Sequence, residues 1–217
     1  MNDNQITKNP ELKDHENLFD LLDGASPEKT TLWPEIEDQK KIAADRNRDV
    51  EERLEAFEDA FESEVGDTSL TRARNLEREV GLRQLFLKFE GSNPSGTQKD
   101  RIAFAQAMDA IRRGFDGITM ATCGNYGVAM ALAASVAGLK CMIHIPENYH
   151  TRRVQEMQQY GAEILRVKGD YENAVNVSRE QAEKFEIYDA NPGGANTTLQ
   201  LRAYGEIAYE IYDELRD

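Results

Sequence analysis

The sequence predicts an α/β fold, a parallel sheet with helices on both faces, preceded by an acidic helical N-terminal segment. Three observations carry this. From residue 84 onward, short apolar runs alternate with helical stretches. The runs ITMAT (118–122) and CMIHI (141–145) are close to continuously apolar, as strands buried on both faces are. Gly and Pro punctuate the joins. At 217 residues the chain is long enough for one large domain or two small ones.

The elements follow in order. Residues 1–34 read as an irregular arm, with Pro10, Gly24, Pro27 and Pro34 as breakers. Between 35 and 64 there is no Pro or Gly, and Ile42, Val50, Leu54, Phe57 and Phe61 recur at helical spacings. One or two amphipathic helices with a charged outer face are expected there. A strand is expected at 84–90 and a helix at 99–113, closed by Gly114 and Gly117. The strand at 118–122 leads into an Ala-rich helix over 125–137, stopped by Gly138. A strand at 141–145 ends at Pro146, and a helix at 151–160 stops at Gly161. Then come a strand at 163–167, a helix at 171–184 and a last strand at 185–189. A Pro-Gly-Gly loop leads to a final helix at 198–214.

Composition excludes several functions. Asp plus Glu is 40 and Lys plus Arg 26, a net charge of −14. Residues 1–66 carry −11 of it. Such a chain is a poor generic ligand for nucleic-acid phosphates, so no nucleic-acid partner is expected. An acidic arm for a basic partner is the alternative to a simple solvated face. Cys123 and Cys141 make neither a disulfide scaffold nor a metal motif, and no metal is expected. The longest apolar run, 128–137, falls well short of the ~18 residues of a membrane span. The N-terminus lacks the basic and apolar regions of a signal peptide, so a cytoplasmic, membrane-free setting is expected.

Two loops carry unusual chemistry. In EGSNPSGTQKDR (90–101), Gly91, Pro94 and Gly96 allow a tight path, and Asn93, Ser95 and Thr97 supply donors and acceptors. Lys99 follows at a helix start, where the positive end of the dipole favours the neutral, nucleophilic amine. An ordinary helix start with a surface lysine is the alternative. In TCGNYG (122–127), successive N–H groups can nest a carboxylate or phosphate. The alternative is a small-residue helix start packed on the sheet. G-x-x-G is not the dinucleotide fingerprint G-x-G-x-x-G. Cys123, at a helix N-terminus, is expected to have a lowered thiol pKa. His144 reads as a satisfied core histidine and Trp33 as a packing anchor. Ser95 has no His partner for a triad. Asp100 and Arg101 either pair locally or orient the lysine loop.

Together these segments resemble the fold type II pyridoxal-phosphate enzymes. GDTSL (66–70) is similar to their G-x-T-P-L opening, with Ser69 where Pro is usual. LFLKFEGSNPSGTQKDR (85–101) resembles their lysine motif, K-x-E-x-x-N-P-T-G-S-F-K-D-R. TCGNYG resembles their S-S/T-G-N-x loop. NPGGANTTLQLRAYGEIAYEIYDEL (191–215) is similar to the corresponding segment of threonine synthase, the branch most resembled. The resemblance spans 66–217, with order and spacing intact.

It implies a pyridoxal 5'-phosphate cofactor and the conversion of O-phosphohomoserine to threonine and phosphate. The other branches imply β-replacement or elimination, as in cysteate synthase, cysteine synthase or threonine dehydratase. A non-catalytic binding module is the reading from another class. By the same resemblance Lys99 is the catalytic and cofactor-binding lysine, and Asn125 hydrogen-bonds the cofactor's 3' oxygen. Thr122, Cys123, Gly124, Asn125 and Tyr126 hold the substrate α-carboxylate. Residues 66–117 open the large domain, 118–189 form a small mobile domain, and 190–217 return to the large one. The complete enzyme is expected to be a homodimer acting on a small amino acid. Gln98 and Cys123 depart from the family pattern and bear on substrate choice. Family members are considerably longer, with a Gly-rich phosphate cradle in their second half. The 217 residues then correspond to a truncated piece, an incomplete product or a chain completed by a second subunit. Alone they are expected to bind cofactor weakly, to self-associate and to lack turnover.

Overall fold

The computed structural model describes residues 33–61 and 64–216. The unit that carries the fold is Gln39–Asp217; of the other, Met1–Asp38, only the start of a helix is described. Nearly all of the arm expected over 1–34, and the side chain of Trp33, lie outside the described residues.

The expected helical segment is two helices, α1 (Trp33–Ala44) and α2 (Val50–Asp59). Pro34 does not break α1: it stands in the first turn, where a missing N–H costs nothing. Between the helices the Asp45 carboxylate accepts the Asn47 N–H at 3.0 Å, a local turn that competes with helix. Phe57 and Phe61 pack on Phe104, with ring centroids 5.9 and 4.2 Å away. Arg53 is buried, and its guanidinium donates to the carbonyls of Ala43 (2.9 Å) and Ala137 (3.4 Å). It thereby satisfies acceptors left open at two helix ends.

Strands β1 (Leu70–Arg72) and β2 (Phe86–Lys88) flank helix α3 (Arg74–Val80) and form an antiparallel ribbon, Thr71 opposite Leu87. This corrects the expectation that the strand at 84–90 belongs with the parallel strands. Its pattern alternates: Leu87 is exposed while Phe86 and Lys88 are half-buried. Alternation is the mark of a half-covered antiparallel pair.

Helix α4 (Lys99–Arg112) then leads into the parallel sheet. Its strands are β3 (Gly117–Ala121), β4 (Lys140–Pro146), β5 (Glu163–Val167) and β6 (Tyr188–Asp189). They lie in the order β5-β4-β3-β6, and every pairing is parallel. The connecting helices are α5 (Asn125–Ala137), α6 (Arg153–Gln159) and α7 (Tyr171–Phe185), and α8 (Thr197–Arg216) closes the described chain.

Side-chain alternation divides the sheet. Ile118, Met120, Cys141, Ile143 and Ile145 enter one core with Ile102, Ala107 and Ile111 of α4 and the alanines of α5. Thr119, Ala121 and His144 face α7. Ten of the thirteen residues of α5 are buried, which explains its lack of a polar face. The α7 face is polar but satisfied. His144, fully buried, meets Gln181 through Nε2 at 3.1 Å and Thr119 through Nδ1 at 3.3 Å. Helix α7 starts where it does because the Asp170 side chain accepts the Asn173 N–H at 2.9 Å. No described helix is long and apolar enough to cross a membrane.

Candidate active site

The lysine loop runs from β2 into α4. Glu90–Ser92 make one 3-10 turn, and the Asn93 side chain folds back to the Glu90 carbonyl at 2.9 Å. The Asn93 side-chain oxygen Oδ1 accepts the Gly66 N–H at 3.0 Å, tying the GDTSL segment to the loop. Lys99 opens α4 and is half-buried. Its Nζ lies 2.7 Å from the Tyr204 hydroxyl and 5.2 Å from that ring's centroid. Tyr204, on α8, was not among the residues the motifs single out.

The two residues after the lysine divide the alternatives left open by sequence. Arg101 does not pair with Asp100. Its guanidinium, with 4% of the side chain exposed, is held by Glu90 at 2.8 Å and Glu210 at 2.5 Å. Glu210 and Glu214 also grip Lys88, at 2.8 and 2.7 Å. Burial opposes ionisation of Glu210, but Arg101 and Lys88 outweigh it and hold the carboxyl down at about 2. Burial likewise opposes ionisation of Glu90, and hydrogen bonds from Arg101 and Thr68 bring its carboxyl below the usual range. Asp100 is fully buried and accepts the Ser95 N–H at 2.9 Å. Burial raises its carboxyl above the ordinary range; the Ser95 and Thr97 donors and the charge of Arg153 oppose this without cancelling it.

The glycine loop leaves β3 at the carboxyl end of the sheet, where open α/β folds place ligands. The Asn191 amide oxygen accepts the Ala121 N–H at 2.7 Å, holding the strand end just before the loop. Thr122 is buried, and Cys123 and Gly124 are half-buried. Asn125 is exposed and its side chain has no hydrogen-bond partner among the described residues. Tyr126 turns away from the loop: its buried hydroxyl receives the Gln106 amide and donates to the Ala190 carbonyl at 2.9 Å. Its main-chain N–H is therefore what it can offer an anion. The lowered thiol expected at Cys123 is corrected: burial raises it, with Arg166 opposing. The helix N-terminus cannot overcome that desolvation.

Helix α6 touches both loops. Arg153 Nη2 donates to the Ser95 carbonyl at 3.4 Å. A Cβ on Gly127 would stand 2.6 Å from Met157 Cε and 2.7 Å from Thr122 Cγ2. Gly127→Ala is therefore expected to cost about 1–3 kcal/mol by overpacking, read as a lowered urea midpoint. Near Cys123 and Arg166, residues His150, Thr151, Arg152, Val154, Gln155 and Arg166 line an open cavity of about 440 Å³.

A parallel α/β sheet with a glycine loop at its strand ends, and a half-buried lysine at a helix start, suits the class of enzymes that hold a small anionic cofactor. Residues 61–217 match the family described as pyridoxal-phosphate dependent enzyme, and the chain belongs to it. It is 32% identical over 151 residues to a threonine synthase of Methanocaldococcus jannaschii, covering 69% of this chain and 36% of that protein. It is 36% identical over 126 residues to cysteine synthase B of Pseudomonas aeruginosa, covering 56% and 41%. The chain thus spans well under half the length of these curated relatives. A crystal structure of a pyridoxal 5'-phosphate-dependent aspartate racemase shares the fold, with a TM-score of 0.65 at 22% identity over 76% of this chain and 51% of that one. The residues present fit the cofactor: a half-buried lysine at a helix start, and an exposed Asn125 whose side chain has no partner among the described residues.

Proposed function

We propose that the protein is a threonine-synthase-like enzyme that converts O-phosphohomoserine to threonine and phosphate with pyridoxal 5'-phosphate. The observation that carries this reading is the basic cavity of His150, Arg152 and Arg166, because it adds a place for a second anionic group beside the carboxylate loop. The bound cofactor supplies an electron sink that makes protons on the substrate's carbons removable. Lys99 binds the cofactor through its amine and then takes and returns protons at Cα and beyond. Tyr204 holds that amine while it is free. Asn125 hydrogen-bonds the cofactor's 3' oxygen. The loop from Thr122 to Tyr126 takes the substrate α-carboxylate through the main-chain N–H groups of Cys123 to Tyr126, the Thr122 N–H being held by the His144 carbonyl at 3.1 Å. Arg152 and Arg166 offset the charge of the departing phosphate, and His150 lines the same cavity. The division into 66–117, a small domain over 118–189 and a return over 190–217 belongs to this reading, with closure of the small domain excluding water.

A second reading, β-replacement or elimination on serine-derived substrates, is favoured by the 36% identity to cysteine synthase B. The test is spectroscopic. Adding pyridoxal phosphate should give a visible band that borohydride removes, and O-phosphohomoserine should shift it while O-acetylserine leaves it unchanged. The opposite selectivity would favour the second reading, and no band at all would sink both. Asn125→Ala is expected to shift that band and weaken capture by about 1–3 kcal/mol, the cost of one lost oriented bond. Its unfolding midpoint should hardly move, because an exposed side chain without partners contributes within about 0.5 kcal/mol.

A further inference from the structure

Among the described residues three buried side-chain atoms lack a hydrogen-bond partner, Ser95 Oγ, Asp100 Oδ1 and Arg153 Nε, and other atoms of the same three residues bond to one another. Asp100 has no exposed surface; its Oδ2 accepts the Ser95 N–H while Oδ1 is left open. Arg153 reaches the Ser95 carbonyl through a long bond of 3.4 Å, while Nη1 is drawn to Glu156 at 2.5 Å. Glu156 has 40% of its side chain exposed, so that pair is an i,i+3 surface contact and weakly held. A buried carboxylate oxygen left open is costly by comparison. The guanidinium therefore sits between a weak exposed partner in use and a strong buried partner left half-satisfied.

We propose that Arg153 and Asp100 form a latch: Arg153 exchanges Glu156 for Asp100, and in doing so clamps the turn that presents Lys99. The exchange pairs Nε with Oδ1, removing two of the three open atoms at once. It bears on both loops, because α6 also carries Met157 against Gly127. Asp100 and Arg153 are positioning residues that act through Ser95 on Lys99. The proposal rests on reading Lys99 as the cofactor lysine.

The test is amide exchange at Ser95, followed by NMR on the whole chain without cofactor. Asp100→Asn and Arg153→Gln should each speed it about tenfold, the equivalent of one hydrogen bond. Their double variant should be no faster than the faster single one, since both break the same pair. Arg153→Lys should retain part of the protection. The distinguishing variant is Glu156→Gln, which sits on the surface and is expected to fold. By freeing Arg153 for Asp100 it should slow Ser95 exchange about twofold, matching a surface pair of about 0.4 kcal/mol. A merely structural role for Arg153 predicts no such gain. Additive singles, or a Glu156→Gln protein with unchanged or faster exchange, would overturn the latch. Mapping of the borohydride adduct is a separate measurement: an adduct absent from Lys99 defeats the functional reading and leaves the exchange result to decide the latch.

Discussion

Lys99→Ala should leave the protein folded and remove the adduct that borohydride makes with pyridoxal phosphate. The adduct vanishes because the neighbouring amine among the described residues is not free to take over. Lys88 is the nearest in sequence, yet its Nζ is clasped by Glu210, Glu214 and the Thr68 carbonyl. Burial alone would favour its neutral form, but the two carboxylates outweigh it and make the ammonium harder to discharge. The fold survives because Lys99 opens α4 and alanine is a good helix former. Losing the bond to Tyr204 should cost about 1 kcal/mol. Peptide mapping by mass spectrometry decides the point. An adduct recovered on Lys88 or Lys168 would remove Lys99 from its role.

The second large effect is on stability. Arg101→Met takes the central cation from between Glu90 and Glu210 and leaves two carboxylates facing each other. We expect a loss of about 3 kcal/mol in urea unfolding, the lower end of the cost of breaking a buried ion pair, because 15–17% of each carboxylate side chain is exposed. The acid limb carries the same signature. Glu210 is depressed from 4.5 to about 2, and Glu90 is depressed as well. Their contribution is complete above about pH 4.5 and is lost as pH falls toward 2 through the folded-state values. Arg101→Met should therefore flatten the fall in stability over that window. An equally steep acid limb would show that the network does not govern it.

The fold was legible where local chemistry decides it. Asn125–Ala137 was read to the residue because Gly124 and Gly138 bracket an apolar run, and Gly138 takes the left-handed conformation of a helix end. Glu163–Val167 was equally plain between Gly161 and Gly169. Of the ribbon, β2 was legible within 84–90, but β1 and the antiparallel pairing were not, since a three-residue strand without an apolar run owes its existence to its partner. At the site, both loops announced themselves through glycines and polar residues in unusual density. Their partners did not. Tyr204 meets Lys99 across 105 residues, and Glu210 meets Arg101 across 109. Only packing brings such pairs together. Cys123 shows the same limit from another side: its place at a helix start was readable, while the burial that dominates its thiol was not.

The long reach of the Arg101 network sets an order of events during synthesis. The β1–β2 ribbon and the start of α4 emerge from the ribosome well before α8, which supplies Glu210 and Glu214. Until then Arg101 has Glu90 alone, Lys88 has neither of its carboxylates, and the Lys88 ammonium stays hydrated rather than docked. The ribbon and the lysine turn therefore lock late, after the locally wound helices. Contacts formed after the rate-limiting step retard unfolding more than they hasten folding. The network is then a brake on loss of the native state: its loss should show up in the unfolding arm of the kinetics, with the folding arm nearly unchanged.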